Sequence, residues 1–235
     1  VLSLVRRKKQ FRRQTRHLIA KLNPRSPISE QYRTIRTNLQ FASIDQELKS
    51  LLITSSEPGE GKSMTAANLA VVYAQQGKKV LLIDADLRKP TVHYTFHLDN
   101  LRGLSNVLIG ELHLEDATVT SDIDSLDIMT CGPIPPNPSE LLGSRVMKKL
   151  IEEASAYYDI IIFDAPPVLA VTDAQILADI VNGVLLVIKS GETEYETALK
   201  AKEALEPARG RLLGAILNNQ AKDQKNGYYY YYGTN

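Results

Sequence analysis

The stretch Leu51-Leu52-Ile53-Thr54-Ser55-Ser56-Glu57-Pro58-Gly59-Glu60-Gly61-Lys62-Ser63 joins a short apolar run to a glycine-rich turn ending in Gly-Lys-Ser. The apolar part reads as a buried strand, and Met64 to Gln76 reads as a helix stopped by Gly77. A glycine-rich turn between strand and helix is where a phosphate-binding loop must lie. There, backbone N–H groups and a helix N-terminus converge on one anion. Gly59 and Gly61 let the backbone approach phosphate closely. Lys62 is placed to reach β- and γ-phosphates, and the Ser63 hydroxyl to hold Mg²⁺. The usual first glycine of the eight-residue pattern is Ser56 here. A glycine turn with an incidental lysine is the plain alternative, and the flanking strand and helix speak for the phosphate site.

Outward from this loop, apolar runs alternate with helical spacing. Val80 to Ile83, Ile160 to Phe163, Val184 to Ile188 and Leu212 to Leu217 read as strands, with a weaker one at Leu126 to Met129. Leu141 to Tyr157, residues 173–181 and residues 194–208 read as helices. Strands this apolar need cover on both faces. The expected fold class is therefore α/β, a doubly wound, mostly parallel sheet with helices on both faces. A further helix is expected over residues 30–42, capped by Ser29, with Tyr32, Ile35 and Leu39 toward the sheet.

Two strands end in acids: Ile83-Asp84-Ala85-Asp86 and Ile162-Phe163-Asp164. In a doubly wound sheet the C-terminal strand ends form the ligand crevice, so Asp84, Asp86 and Asp164 can gather near Lys62 and Ser63. A Mg²⁺ carried by ATP needs only one or two protein carboxylates. The third is left for another task, such as taking a proton from an attacking hydroxyl. A solvated Asp at a strand end is the alternative for each acid singly. Asn218 ends the last strand at the same edge, where its amide could read adenine or simply form a turn. The expected nucleotide-binding set is Gly59, Glu60, Gly61, Lys62, Ser63, Met64 and Asn218.

The 235 residues are 43% apolar and 23% charged, which excludes disordered, collagen-like and disulfide-stapled classes for the bulk of the chain. Cys131 is the only cysteine, so no internal disulfide forms. No apolar run approaches the roughly 20 residues of a membrane span, and the N-terminus reads as neither signal peptide nor anchor. Residues 1–25 hold nine Lys or Arg and no acid. The other 210 residues carry 19 basic and 27 acidic side chains, a net of −8. A basic arm on an acidic body calls for an anionic partner, unless it is merely a solvated terminus. A lipid surface is preferred over nucleic acid, because no aromatic or groove-reading motif accompanies the charge.

Together these residues resemble the bacterial tyrosine kinases of exopolysaccharide and capsule synthesis. The carriers are the loop at 55–63, Leu-Leu-Ile-Asp-Ala-Asp-Leu-Arg-Lys-Pro at 81–90, and Ile-Ile-Ile-Phe-Asp-Ala-Pro-Pro at 160–167. Glu30-x-x-Arg33-x-x-Arg36 resembles the family's ring-forming motif. The run Tyr228-Tyr229-Tyr230-Tyr231-Tyr232 resembles its autophosphorylated tail, and the stretch Gly132 to Pro138 is also similar. The resemblance covers residues 30–235. It implies ATP and Mg²⁺ as cofactors, with Lys62 stabilising the transferred phosphoryl group. Ser63, Asp86 and Asp164 hold Mg²⁺ directly or through water, and Asp84 is the base toward tyrosine. It further implies transfer between neighbours in a homo-oligomeric ring. The activator it implies is the cytoplasmic tail of a membrane adaptor. That places the protein in the cytoplasm, peripherally on the inner face of the cell membrane.

Three segments are expected: a basic arm over 1–28, a P-loop kinase domain over 29–219 and a tyrosine-cluster tail over 220–235. From Asn219 to Tyr230 the chain can extend about 35–40 Å, enough for its own site or a neighbour's. Glu30 and Arg33 could instead pair along their own helix. The rival function is an ATP-driven switch or scaffold of the partition or septum-positioning type. Those proteins carry a lysine five residues before the P-loop lysine, and that position is Glu57 here.

Overall fold

A computed structural model describes residues 18–42 and 47–220. In chain order these form α1 (Ile19–Leu22), α2 (Pro27–Ala42), β1 (Ser50–Ser55), α3 (Lys62–Ala74), β2 (Val80–Asp84), α4 (Val92–Phe96), α5 (Leu104–Leu108) and β3 (Val119–Thr120). Then follow β4 (Leu126–Met129), α6 (Pro138–Leu142), α7 (Arg145–Tyr157), β5 (Ile160–Asp164), α8 (Asp173–Ala178), β6 (Gly183–Lys189), α9 (Tyr195–Leu205) and β7 (Arg211–Asn218). The basic residues 1–16 and the tyrosines 228–232 lie outside the described residues.

The seven strands form one sheet in the order β3-β4-β2-β5-β1-β6-β7, parallel throughout except for the short β3. Side-chain alternation builds two cores. Leu52, Leu81, Ile83 and Phe163 pack on one face with α5 to α9. Leu51, Ile53, Leu82 and Ile162 pack on the other with α1 to α3. A fully buried Leu or Ile contributes about 1.5–3 kcal/mol relative to exposure. Continuously apolar strands are what a sheet covered on both sides requires. The two edge strands are the exceptions: β3 is exposed and β7 only half-buried, with Leu217 60% exposed.

Three local features differ from the sequence reading. The helix expected over 30–42 starts at Pro27, and its cap is Ser26 rather than Ser29. Ser26 Oγ accepts the Ser29 N–H at 3.1 Å, and Pro27 takes the first helical position, where no N–H is needed. Ser29 is fully buried, with its hydroxyl 2.7 Å from the Asn23 carbonyl. The helix expected from Leu141 is broken at Gly143, and Ser144 caps α7 by accepting the Met147 N–H at 3.2 Å. The packed body also begins before residue 29. Ala20 is fully buried against α3, and its N–H donates to the Asn68 side chain at 3.0 Å. Lys21, counted with the basic arm, is ion-paired with Asp122. Tyr32, Ile35 and Leu39 do pack on the second core as their spacing implies.

Candidate active site

The site forms where the central strands end. β1 lies between β5 and β6, and β5 lies between β1 and β2, so the loop after β1 and the acids after β2 and β5 share one edge. The β2–β5 ladder closes with Asp84 opposite Asp164, and the β1–β5 ladder with Ile53 opposite Asp164. Register thus sets two of the three acids side by side.

The loop from Ser56 to Gly61 turns back on itself before α3. Gly59 and Gly61 have φ of 88° and 94°, a left-handed backbone that disfavours any side chain. At Gly61 space is closed as well, since a Cβ would fall 2.0 Å from Asn218 Nδ2. Asn218 donates from that nitrogen to the Glu60 carbonyl at 2.8 Å, so the end of β7 is tied to the loop. The left-handed turn residue here is its neighbour Asn219. Glu57 is exposed, and its N–H donates to the Glu60 carboxylate at 2.9 Å.

Lys62 starts α3 and points at the acids. Its Nζ lies 2.9 Å from Asp86 Oδ2 and 3.3 Å from Asp164 Oδ1. The Ser63 hydroxyl is 3.5 Å from the same Nζ. Burial by itself would lower the pKa of Lys62, but the charges of Asp164 and Asp86 outweigh it and the lysine holds its proton more tightly than usual. Burial, then the charge of Asp164, pushes Asp84 well above the ordinary carboxylate range. Asp164 is raised by burial too, against the opposing pull of Lys62 and Ser63.

The three acids are held differently. Asp84 Oδ2 accepts the N–H groups of Thr91 and Val92, both at 2.8 Å, and so anchors the start of α4. Its Oδ1 receives the Asp86 N–H at 3.3 Å. Asp86 uses Oδ1 for the Lys89 N–H at 3.0 Å and Oδ2 for Lys62. Asp164 Oδ2 is buried without a hydrogen-bond partner among the described residues. Among those residues no group of three or more His, Cys, Asp or Glu is arranged to chelate a metal unaided. An orphaned carboxylate oxygen beside a serine hydroxyl is nevertheless a hard-oxygen donor set. It suits Mg²⁺ that brings phosphate and water as its other ligands.

Glu60 belongs to the expected nucleotide-binding set, but the long-range partners of Glu60 and Arg88 carry no local signal. Glu60 is 3% exposed, and besides the Glu57 N–H its carboxylate takes the hydroxyl of Thr193, in the turn after β6. Arg88 forms a two-point contact with Asp173, Nε to Oδ2 at 2.9 Å and Nη2 to Oδ1 at 3.0 Å. Ser139 joins them, donating to Asp173 Oδ1 at 2.7 Å. The only hint in the sequence was an acid between the two loop glycines and a basic residue after Asp86.

The residues of the resembled ring motif make contacts within this chain. Arg33 pairs with Glu30 on its own helix. Arg36 donates from Nη1 to the Val72 carbonyl at 2.6 Å, near the C-terminal end of α3. Its Nε is buried without a partner among the described residues.

A family model described as an AAA domain matches residues 48–199. The tyrosine-protein kinase YwqD of Bacillus subtilis is 59% identical over 228 residues, covering 97% of this chain and 96% of that protein. The chain belongs to the bacterial tyrosine-protein kinases. The putative tyrosine-protein kinase CapB of Staphylococcus aureus is 46% identical over 210 residues, covering 89% of this chain and 92% of CapB. The crystal structure of the chimerical protein CapA2B2 superposes with a TM-score of 0.84 at 45% identity, covering 87% of this chain and 90% of that one. A bacterial tyrosine kinase is a nucleotide-using enzyme on a P-loop fold, and the sheet order and the Gly61–Lys62–Ser63 turn described above are its framework. Among the described residues no helix is long and apolar enough to cross a membrane.

Proposed function

We propose that this kinase transfers the γ-phosphoryl group of Mg-ATP to Tyr228, Tyr229, Tyr230, Tyr231 and Tyr232 of its own tail and to tyrosines of other proteins. The observation that carries the reading is Lys62 lying between Asp86 and Asp164 at the mouth of the loop. That juxtaposition supports a reading in which Lys62 serves the phosphoryl group and the acids serve the metal.

The N–H groups from Gly59 to Met64, with the start of α3, receive the phosphates. Ser63, Asp86 and Asp164 would hold Mg²⁺, which when bound would draw charge from the phosphate oxygens. Lys62 exchanges its carboxylate partners for the phosphoryl oxygens and stabilises charge as it builds there. Asp84 takes the tyrosine proton. A phenol with a pKa near 10 needs such a base, and the raised proton affinity of Asp84 suits it to the task. Of its two oxygens, Oδ1 serves, since two N–H groups occupy Oδ2. Asn218 lies beside the loop, where its amide meets the base of the nucleotide.

In this reading Glu30, Arg33 and Arg36 open their internal contacts to meet acids of a second copy, and the ring so formed presents one subunit's tail to the next. The partners are a membrane adaptor whose cytoplasmic tail activates the kinase, and an anionic lipid surface for the basic arm. The enzyme works at the inner face of the cell membrane and regulates exopolysaccharide or capsule synthesis. Support comes from relatives named as tyrosine-protein kinases, one of them from a cps region.

The test is incubation with Mg-ATP, with and without the adaptor's cytoplasmic tail, followed by intact-mass spectrometry. Mass steps of one phosphate are expected, lost in Lys62→Met and in a variant with five Phe in place of Tyr228–Tyr232. Release of phosphate to water with no mass gained by the protein would overturn the reading in favour of an ATPase switch.

A further inference from the structure

We infer that Arg88, Asp173 and Ser139 form a positioning clamp that holds Asp86 in register with Asp164. The inference rests on the magnesium site proposed above and extends it to residues outside that site.

The sheet does not place Asp86 by itself. The β2–β5 ladder ends at Asp84 opposite Asp164, and the last backbone bond between the two segments is Ala85 N–H to the Asp164 carbonyl at 2.9 Å. Asp86 lies beyond it, in the turn that leads to α4. Both of its carboxylate oxygens are nevertheless directed, one by the Lys89 N–H and the other by Lys62. The Lys89 bond exists only while the backbone from Asp86 to Lys89 keeps its turn.

Arg88 is inside that turn, and its side chain leaves it toward Asp173. Asp173 is completely buried and opens α8, nine residues after Asp164 on the same β5–α8 unit. The guanidinium meets it at two points, a geometry that fixes direction as well as distance. Ser139, at the start of α6, adds a third donor to the carboxylate and itself accepts from Arg88 Nη2 at 3.0 Å. The clamp therefore ties the segment carrying Asp86 to the unit carrying Asp164, past the point where the ladder ends. Arg88 and Asp173 are 85 positions apart in sequence. The hydrogen bonds of both go to each other and to Ser139, and none goes to the loop of residues 56–63. Their effect reaches the reaction only through Asp86.

A residue acting this way should change how magnesium and nucleotide bind together, and leave the phosphate loop alone. Nucleotide affinity is measured on the full chain with a fluorescent ATP analogue, once in EDTA and once in saturating Mg²⁺. Arg88→Lys keeps the charge and loses the two-point contact. It should cut the magnesium-dependent gain in affinity about tenfold, the usual scale for losing a partner that orients a metal ligand, with the EDTA affinity unchanged. The half-saturating Mg²⁺ for phosphoryl transfer should rise in step. Ser139→Ala removes one bond of the clamp and should shift both in the same direction by a few fold. A clamp with only a structural role would lower the urea midpoint of both variants and leave the magnesium gain intact, and that result overturns the inference. So would an EDTA affinity falling in parallel with the magnesium affinity. A wild-type protein with no magnesium gain at all would overturn the metal reading beneath it and the inference together. Its origin is recognisable because the wild type, rather than the variants, departs from expectation.

Discussion

The two halves of the active site are built from different materials. The phosphate half is mostly backbone: two left-handed glycines, a helix start and a loop closed on itself by Glu60. The carboxylate half is made of buried side-chain charge: Lys62 is ion-paired with Asp86 and Asp164, and Asp84 stands opposite Asp164 in the ladder. A backbone site stands ready whatever its neighbours carry. A charge site with three acids and one lysine is left short of positive charge, and a divalent cation is what would make up the shortfall. Lys62 belongs to both halves, holding the acids until the phosphates arrive.

The largest effect should come from the residue they share. Lys62→Met should lower phosphoryl transfer by about 10²–10³-fold or more, as loss of a donor to developing charge does elsewhere. It should also destabilise the protein by about 3 kcal/mol, because it leaves buried acids without their partner. Urea denaturation in EDTA and in Mg²⁺ checks this, with part of the loss restored by the metal. Equal loss in both media would mean that Lys62 does not serve the carboxylate half.

Gly61→Ala comes next and tests the backbone half alone. The left-handed φ costs about 1–3 kcal/mol for a residue with a Cβ, and the clash with Asn218 adds to it. Nucleotide affinity should fall at least tenfold in EDTA and in Mg²⁺ alike. Adding Asn218→Ala should recover only the part due to the clash. Full recovery would show that the conformation is not the constraint.

Thr193→Val sharpens the comparison with a smaller change. Losing one hydroxyl contact to the buried Glu60 carboxylate costs about 1.5–3 kcal/mol at most. The KM for ATP should rise severalfold with kcat unchanged, and Thr193→Ser should restore it. A fall in kcat instead would place Thr193 with the carboxylate half.

The smallest effect lies on the core side of the acids. Cys131 is fully buried, and burial, with the charges of Asp84 and Asp86 behind it, pushes its thiol up to about 12 from 9.0. The folded state therefore holds this proton more tightly than the unfolded chain. That contribution is complete below pH 9 and is lost as pH rises toward 12. The stability difference between wild type and Cys131→Ala should narrow between pH 8 and pH 11 in urea titrations. A constant difference would show that folding does not raise the proton affinity of the thiol.

The same contrast explains what the sequence disclosed. The strand before the loop, the loop itself and the acids after β2 and β5 are contiguous patterns, so the sheet and most of the site were legible. Tyr32, Ile35 and Leu39 were legible for the same reason: spacing alone puts them on one helix face. Glu60 with Thr193, and Arg88 with Asp173, are paired across 133 and 85 positions, and only the fold brings them together. The short helices α4 and α5 escaped because their ends are set by such contacts, α4 by the Asp84 carboxylate on two of its N–H groups. Ser29 misled because it is one of three serines and asparagines near one helix start. The proline at residue 27, rather than the serine, marks the first turn.

One measurement tests whether Lys62 stands in for the metal among the acids. Mg²⁺ or Mn²⁺ binding is titrated calorimetrically, without nucleotide, to wild type and to Lys62→Met, with folding confirmed by urea denaturation. The account predicts weak binding to wild type, whose acids already hold an ammonium, and clearly tighter binding to the variant. Binding no tighter in the folded variant would contradict it, because the acids would then not be waiting for a cation.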